Sequence, residues 1–254
     1  MGILNVTPDS FSDGGRFVNA EAALAQARAL VAAGADIIDV GAESTRPGYT
    51  PISAEEEIAR LEPLLARLLA GVAAPFSIDT YKAATARFAT ALGVCVVNDV
   101  WGLQKDSGMA DAIAEAGAAV VVMHNRDAVD ADLDVVADMK RFFDRSLDLA
   151  RRAKIPDAHV VLDPGIGFGK TKQQNLRALR ATGDLAKTYG MPVLIGVSRK
   201  SLFGLLLGAD VNARLVGTIA AGLACAVRGA RAFRVHDVAE HKAAFTVLDV
   251  IDNA

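Results

Sequence analysis

Apolar and polar positions follow two alternating patterns along this chain. Short, nearly continuous apolar runs stand at Gly2–Val6, Asp36–Val40, Phe76–Ile78, Val94–Val97, Ala118–Met123, His159–Leu162, Val193–Val197 and Ala232–Val235. Each is strand-sized, and a strand that is apolar on both faces belongs in a parallel sheet covered by helices. Between the runs lie longer stretches with apolar residues at helical spacing. These are Ala20–Ala33, Ala54–Leu69, Ala83–Leu92, Met109–Ala116, Val135–Ala153, Gln174–Lys187 and Ala213–Val227, with Ala239–Val250 after the last run. Eight strand–helix units in 254 residues match the count and size of a (β/α)8 barrel. No linker or low-complexity stretch interrupts the pattern. The expectation is therefore the α/β class, as a single TIM barrel in which residues 1–254 form one domain.

The ends of the runs are polar. They terminate at Asn5, Asp39, Asp79, Asn98-Asp99, His124, Asp163, Ser198-Arg199-Lys200 and Arg234-Val235-His236. One polar residue at a strand end is commonly a cap or a turn former. In a closed barrel, however, all the C-terminal strand ends converge on one face, where such folds build their sites. Carboxylates and cations together on that rim suit a ligand with a donor-rich edge and an anionic tail. Two connections, TPDSFSDGG (7–15) and GAESTRPG (41–48), are long for βα loops and mix hydroxyls, charge, glycine and proline. They read either as solvated loops or as arms that close over a substrate.

Composition narrows the class. Hydrophobic residues make up 52% and aromatics only 6%, and the abundant alanine and valine suit close helix–sheet packing. The net charge of −3 is spread along the chain, so neither a nucleic acid nor a membrane surface is expected as a partner. Cys95 and Cys225 are far apart in apolar runs and read as two buried free thiols in a reducing compartment. The opening MGILNV has no basic n-region and no long apolar h-region, and Val6 breaks the myristoylation pattern. No apolar stretch reaches membrane-spanning length. A soluble, cytoplasmic protein is expected.

One segment invites a different reading. Residues 160–171, VVLDPGIGFGKT, end in a GKT that suggests a nucleotide-phosphate loop. A Walker A motif needs glycine five residues before its GK glycine, and that position is Pro164, which has no N–H to offer. The pattern G-x-G-x-x-G fails too, because Lys170 stands where its third glycine belongs. What remains is an apolar strand ending in Asp163 and a glycine-rich turn.

The segments MGILNVTPDSFSDGG (1–15), DVGAESTRPG (39–48), SIDT (77–80), VNDVWG (97–102), VVMHNR (121–126), LDPGIGFGKT (162–171), GVSRKS (196–201) and RVHDV (234–238) closely resemble the dihydropteroate synthase family of pterin-binding barrels. They occur in the family's order and span nearly the whole chain. The resemblance implies a transferase of folate biosynthesis. It would join 6-hydroxymethyl-7,8-dihydropterin diphosphate to 4-aminobenzoate and release pyrophosphate. It implies that Asp163 accepts the N–H donors of the pterin edge, with Asn98 and Asp79 on other ring nitrogens, Lys200 on the oxygen side and Met123 as an apolar wall. Arg234 and His236, two apart on the last strand, would hold the diphosphate, and Asn5 would help hold a Mg²⁺ ion bridging its oxygens. Asp79 would favour the pterin cation formed as pyrophosphate leaves. Thr45, Arg46 and Pro47, with Phe11, Phe168, Ser198 and Lys200, would form the aminobenzoate site. The catalytic set is thus Asp79, Arg46, Lys200, Arg234 and His236. Asp9 or Asp13 would assist the metal or the cation, while His124, His159 and His241 receive no role.

Family members also dimerise through late helices, so a homodimer is expected, with Ala213–Val227 compatible with that surface. They usually carry a short segment before MGIL that covers the barrel bottom. Here the numbering opens on the first strand, so a less covered bottom face is expected. A pterin-binding paralogue without turnover is the alternative. It should show erosion in the two long loops or at Arg234 and His236, and neither is eroded.

Overall fold

The computed structural model describes residues 1–6, 16–43 and 50–254, with residues 16–19 described in backbone only. Six strands form one continuous parallel ladder: β1 (Gly2–Asn5), β2 (Ile38–Gly41), β3 (Phe76–Asp79), β4 (Val96–Asp99), β5 (Ala119–Met123) and β6 (Val160–Asp163). The strands β7 (Leu194–Ile195) and β8 (Ala232–Phe233) pair with each other. Two single parallel bridges complete the ring, Leu162 with Val193 and Gly2 with Val235. At the second seam the backbone of Ile3 donates to Val235 and that of Val235 donates to Met1, each at 3.0 Å. The architecture is a TIM barrel whose last two strands are its shortest.

Among the described residues ten α-helices accompany the ring: α1 (Arg16–Ala32), α2 (Ala54–Gly71), α3 (Ala83–Ala91), α4 (Met109–Ala116), α5 (Val135–Arg152), α6 (Lys172–Arg180), α7 (Thr182–Tyr189), α8 (Ser201–Leu207), α9 (Leu215–Ala226) and α10 (Val238–Asp252). α2 shows why these segments are helical. Ser53 accepts the N–H of Glu56 at 3.2 Å and caps the helix, and acidic residues fill the first turn, where the helix dipole favours them. Glu57, Leu61, Leu64, Leu65 and Leu68 recur at helical spacing and are buried on one face. Each fully buried leucine contributes about 2 kcal/mol relative to exposure.

The main core is the layer between strands and helices, containing Leu4, Val40, Ile78, Val97, Val122 and Leu162. Side chains alternate along a strand, so the neighbours Asn5, Gly41, Asp79, Asn98, Met123 and Asp163 point into the barrel mouth. The register agrees, for Asn5 pairs with Gly41, Asp79 with Asn98 and Met123 with Asp163.

Four expectations are corrected. The stretch Gln174–Lys187 is two helices, because the Thr182 hydroxyl donates to the Leu179 carbonyl at 2.7 Å and a Cβ on Gly183 would stand 2.7 Å from the Arg228 carbonyl oxygen. The short apolar helix α8 has no polar face for periodicity to detect. The runs Val193–Val197 and Ala232–Val235 shorten to two residues each, since Val197 already accepts the N–H of Lys200 in a turn and Val235 is held by one bridge. Cys95 is exposed rather than buried: it enters β4 beside the exposed turn at Leu92 and Gly93, at the margin of the helix layer. Cys225 is buried, as expected. Among the described residues no helix is long and apolar enough to cross a membrane.

Candidate active site

The barrel mouth is organised around one guanidinium. Arg234, just past β8, donates through Nε to Asp39 Oδ2 and through a terminal nitrogen to Asp79 Oδ2, both at 2.6 Å. Asn98 on β4 donates to the same Asp39 oxygen at 3.2 Å. Asp39 is fully buried and Asp79 nearly so, so two carboxylates share one buried cation. The Asp79 pKa is raised to about 7, chiefly by burial, with Arg234 pulling it down and the charge of Asp39 pushing it up. Burial also works against the Arg234 charge, but Asp39 and Asp79 outweigh it and hold the arginine firmly protonated. Asp39 Oδ1 and Asp79 Oδ1 are buried with no hydrogen-bond partner among the described residues. Buried acceptors of that kind call for donors from a ligand or from water.

Across the mouth, β6 and β7 supply a second pair. Asp163 Oδ1 accepts the backbone N–H of Gly165 at 2.7 Å. Its other oxygen faces Gly196, where a Cβ would stand 3.4 Å from Oδ2 and 4.0 Å from the Lys200 ammonium. The missing side chain of Gly196 therefore leaves room beside both charges. Burial raises the Asp163 pKa, with Lys200 pulling against it. Burial likewise lowers Lys200 to about 8, while Asp163 supports its charge. The ammonium donates to the Ile166 carbonyl and sits 4.7 Å from the centre of the Phe168 ring, a cation–π contact. Met123 is buried on the strand between these pairs, in register with Asp163.

Ser198 and His236 meet at the remaining side. The Ser198 hydroxyl accepts the backbone N–H of His236 at 3.1 Å and lies 2.9 Å from its Nδ1. His236 and Arg234, expected to act together on the diphosphate, contact Ser198 and the carboxylate pair respectively. His124 is buried against Asp138 at 3.2 Å and the ring of Phe142; burial lowers its pKa to about 3, so it is a neutral packing residue. His241 lies 2.6 Å through Nδ1 from the Asp237 carbonyl. Phe11, Thr45, Arg46 and Pro47, together with Asp9 and Asp13, lie outside the described residues.

Asn5, expected to help hold Mg²⁺, stands at the β1 tip opposite Asp79. A Cβ on Gly41 would be 3.7 Å from Asn5 Oδ1 and 3.6 Å from Asp79 Oδ2, so the glycine keeps a gap between two hard oxygen donors. Among the described residues no cluster of three or more His, Cys, Asp or Glu could hold a metal. Magnesium bound through phosphate and water needs only one or two protein oxygens, so the residues present fit such an ion.

Two features carried no assigned role in the sequence. Asp39 is visible there only as one polar strand end among eight, and nothing local marks it as the partner of Arg234. A buried ion cluster also lies beside the β2 and β3 ends. Lys82 pairs with Glu43 and, at 3.0 Å, with Glu57, which also accepts from Thr80 at 3.1 Å and Thr85 at 2.9 Å. The only sequence signal for Glu57 is its place on the apolar stripe of α2.

Charged and amide side chains from at least six strands thus ring one barrel mouth, an arrangement suited to a flat heterocycle rich in N–H groups. A family model described as pterin binding enzyme matches residues 1–236, and the chain belongs to that family. Within it, the similar full-length relatives are dihydropteroate synthases. That of Clostridium beijerinckii is 43% identical over 252 residues, covering 99% of this chain and 93% of the relative. The solved dihydropteroate synthase of Clostridium difficile in the presence of pteroic acid superposes with a TM-score of 0.95 at 46% identity, covering 99% of this chain and 95% of the other. The Xanthomonas albilineans enzyme with 4-aminobenzoic acid gives a TM-score of 0.95 at 43% identity, covering 100% and 93%.

Proposed function

We propose that this barrel, acting as one domain, carries out the dihydropteroate synthase reaction at the rim described above. The chain is a transferase of folate biosynthesis. It condenses 6-hydroxymethyl-7,8-dihydropterin diphosphate with 4-aminobenzoate to give 7,8-dihydropteroate and pyrophosphate. The observation that carries the residue assignment is the convergence of Asp79, Asn98, Asp163, Lys200 and Arg234 on one mouth with buried acceptor oxygens left open.

Asp163 accepts from the amino edge of the pterin, a charge-assisted contact. Lys200 donates on the oxygen side, Asn98 reaches a ring nitrogen and Met123 packs against the ring. As the C–O bond to the diphosphate breaks, positive charge spreads from the exocyclic methylene into the ring. The Asp79 carboxylate, raised in pKa by burial, is stabilised as that charge develops beside it, which lowers the barrier. The arylamine nitrogen then bonds to the methylene and loses its proton to solvent or to pyrophosphate. Arg234 and His236 hold the departing anion. Asn5 would hold magnesium, which, when bound, neutralises charge on the diphosphate. Phe168 and Ser198 border the aminobenzoate side, with Phe11, Thr45, Arg46 and Pro47 assigned there by family resemblance.

Leu205, Leu207, Val216, Val250 and Ile251 are exposed on α8, α9 and α10, which pack side by side. That apolar surface supports a homodimer through the late helices. Two free thiols fit a reducing compartment, the cytoplasm. The deciding test is a coupled assay for pyrophosphate released from pterin diphosphate, 4-aminobenzoate and Mg²⁺. Turnover that requires both substrates supports the assignment; binding of the pterin without turnover identifies a paralogue that only binds.

A further inference from the structure

Lys170, which gives residues 160–171 their resemblance to a phosphate loop, turns its ammonium onto the chain's own backbone carbonyls. Its side chain is buried at 7% exposure. The ammonium donates to the carbonyl oxygens of Gly165 at 2.7 Å, Phe168 at 3.1 Å and His124 at 3.4 Å. Three donors thus meet three backbone acceptors, two in the glycine-rich turn after β6 and one at the tip of β5. Burial lowers the Lys170 pKa to about 7, and its contacts to these three carbonyls bind the turn to the neighbouring strand.

The turn fits this contact closely. Gly165 has φ of +65°, and a Cβ there would stand 1.8 Å from the His124 carbonyl oxygen and 3.2 Å from the Lys170 ammonium. Asn175 on α6 braces the outer side, accepting the N–H of Gly167 at 2.7 Å and donating to the Thr171 carbonyl at 2.9 Å. The same few residues touch both charges across the mouth. Gly165 donates to Asp163, Ile166 accepts from Lys200, and the Phe168 ring lies beneath the Lys200 ammonium.

We infer that Lys170 is a positioning residue for the pterin pocket: it locks the Gly165–Gly169 turn onto the β5 tip and so sets the spacing of Asp163 and Lys200. This rests on the reading of those two side chains as pterin contacts. The lysine of the GKT sequence therefore serves its own backbone rather than a nucleotide.

The test is calorimetric titration with 6-hydroxymethylpterin, alongside thermal melts. Lys170→Met should keep the fold at assay temperature and bind the pterin about 10- to 100-fold more weakly, the range expected when a buried polar network loses its central donor. Thr171→Ala removes the neighbouring cap of α6 without touching the ammonium, so it should lower the melting temperature and leave pterin affinity at the wild-type value. Wild-type affinity in Lys170→Met overturns the inference, as does an equal loss in Thr171→Ala, which would tie affinity to stability alone. If Lys170→Met does not fold, Lys170→Arg decides, because a guanidinium does not fit a cage sized for an ammonium. Binding about tenfold weaker then supports the role, and wild-type affinity overturns it. Wild-type protein that fails to bind the pterin at all overturns the reading of the pocket itself, a result distinct from equal binding by all variants.

Discussion

Arg234 and Asp39 are 195 positions apart in the chain and 2.6 Å apart in the barrel. Their contact spans the seam where β8 returns to β1 and reaches β2 beyond it. That seam carries one backbone bridge, and the side chains above it add a further tie across it. The same guanidinium reaches Asp79, so closure of the ring and assembly of the site share one residue.

Replacing Arg234 should therefore damage stability as well as chemistry. Arg234→Met leaves two buried carboxylates without their cation, and breaking such a pair costs about 3–5 kcal/mol. Adding Asp39→Asn should recover part of the loss, since one uncompensated charge is then gone. Urea unfolding of the single and double variants checks this; a double variant less stable than Arg234→Met would show that Asp39 is not the source of the strain.

The pH dependence follows from two groups moved in opposite directions. Asp79 works ionised, and its pKa is raised to about 7 by burial, so kcat/KM should climb as pH rises through 7. Lys200 works protonated, and burial lowers it to about 8, so kcat/KM should fall as pH passes 8. The profile is a narrow bell centred between the two. Asp79→Asn should lower the maximum and remove the acid limb while leaving the alkaline limb. An acid limb that persists unchanged in that variant would assign it to another group.

Much of this was legible in the sequence, and the limits have physical causes. Strand ends such as Asp79, Asn98 and Asp163 stand out because an apolar run stops at a polar residue, and barrel geometry places all such ends on one face. Partner choice is not written locally. Asp39 and Arg234 sit in separate, ordinary strand tips, and only ring closure joins them. Glu57 is one of three consecutive acids opening α2, and the burial of the third depends on Lys82 arriving from the next unit. Lys170 follows a glycine in a phosphate-loop-like string, yet the left-handed turn at Gly165 and Gly167 folds its side chain back on the chain. Periodicity identifies a face; it does not reveal what that face meets.

Asp163→Asn tests the pterin contact directly. Asparagine keeps an acceptor for the Gly165 N–H, so the turn should survive, but the second acceptor toward the ligand becomes a donor or loses its charge. Loss of one charged hydrogen bond predicts about 2–3 kcal/mol weaker pterin binding, with little change in unfolding free energy. Titration calorimetry and urea unfolding on the same preparation separate the two effects. Unchanged pterin affinity would remove Asp163 from the pocket.

Two glycines of similar conformation give a paired test of what the β6 turn requires. Gly165 and Gly117 have φ of +65° and +64°, so alanine at either meets the same backbone preference, about 1 kcal/mol. A Cβ on Gly117 meets nothing within 4 Å, and Gly117→Ala should cost little beyond that. At Gly165 the Cβ would stand 1.8 Å from the His124 carbonyl oxygen, the acceptor that also holds Lys170. The turn would have to lift from β5, carrying Asp163 and the Lys200 anchor with it. Gly165→Ala should therefore destabilise by about 4 kcal/mol, in the range reserved for strain at a special backbone site, and weaken pterin binding in the protein that remains folded. Equal losses for the two variants in urea unfolding would mean that backbone conformation alone, and not the fit of the turn against β5, selects glycine there.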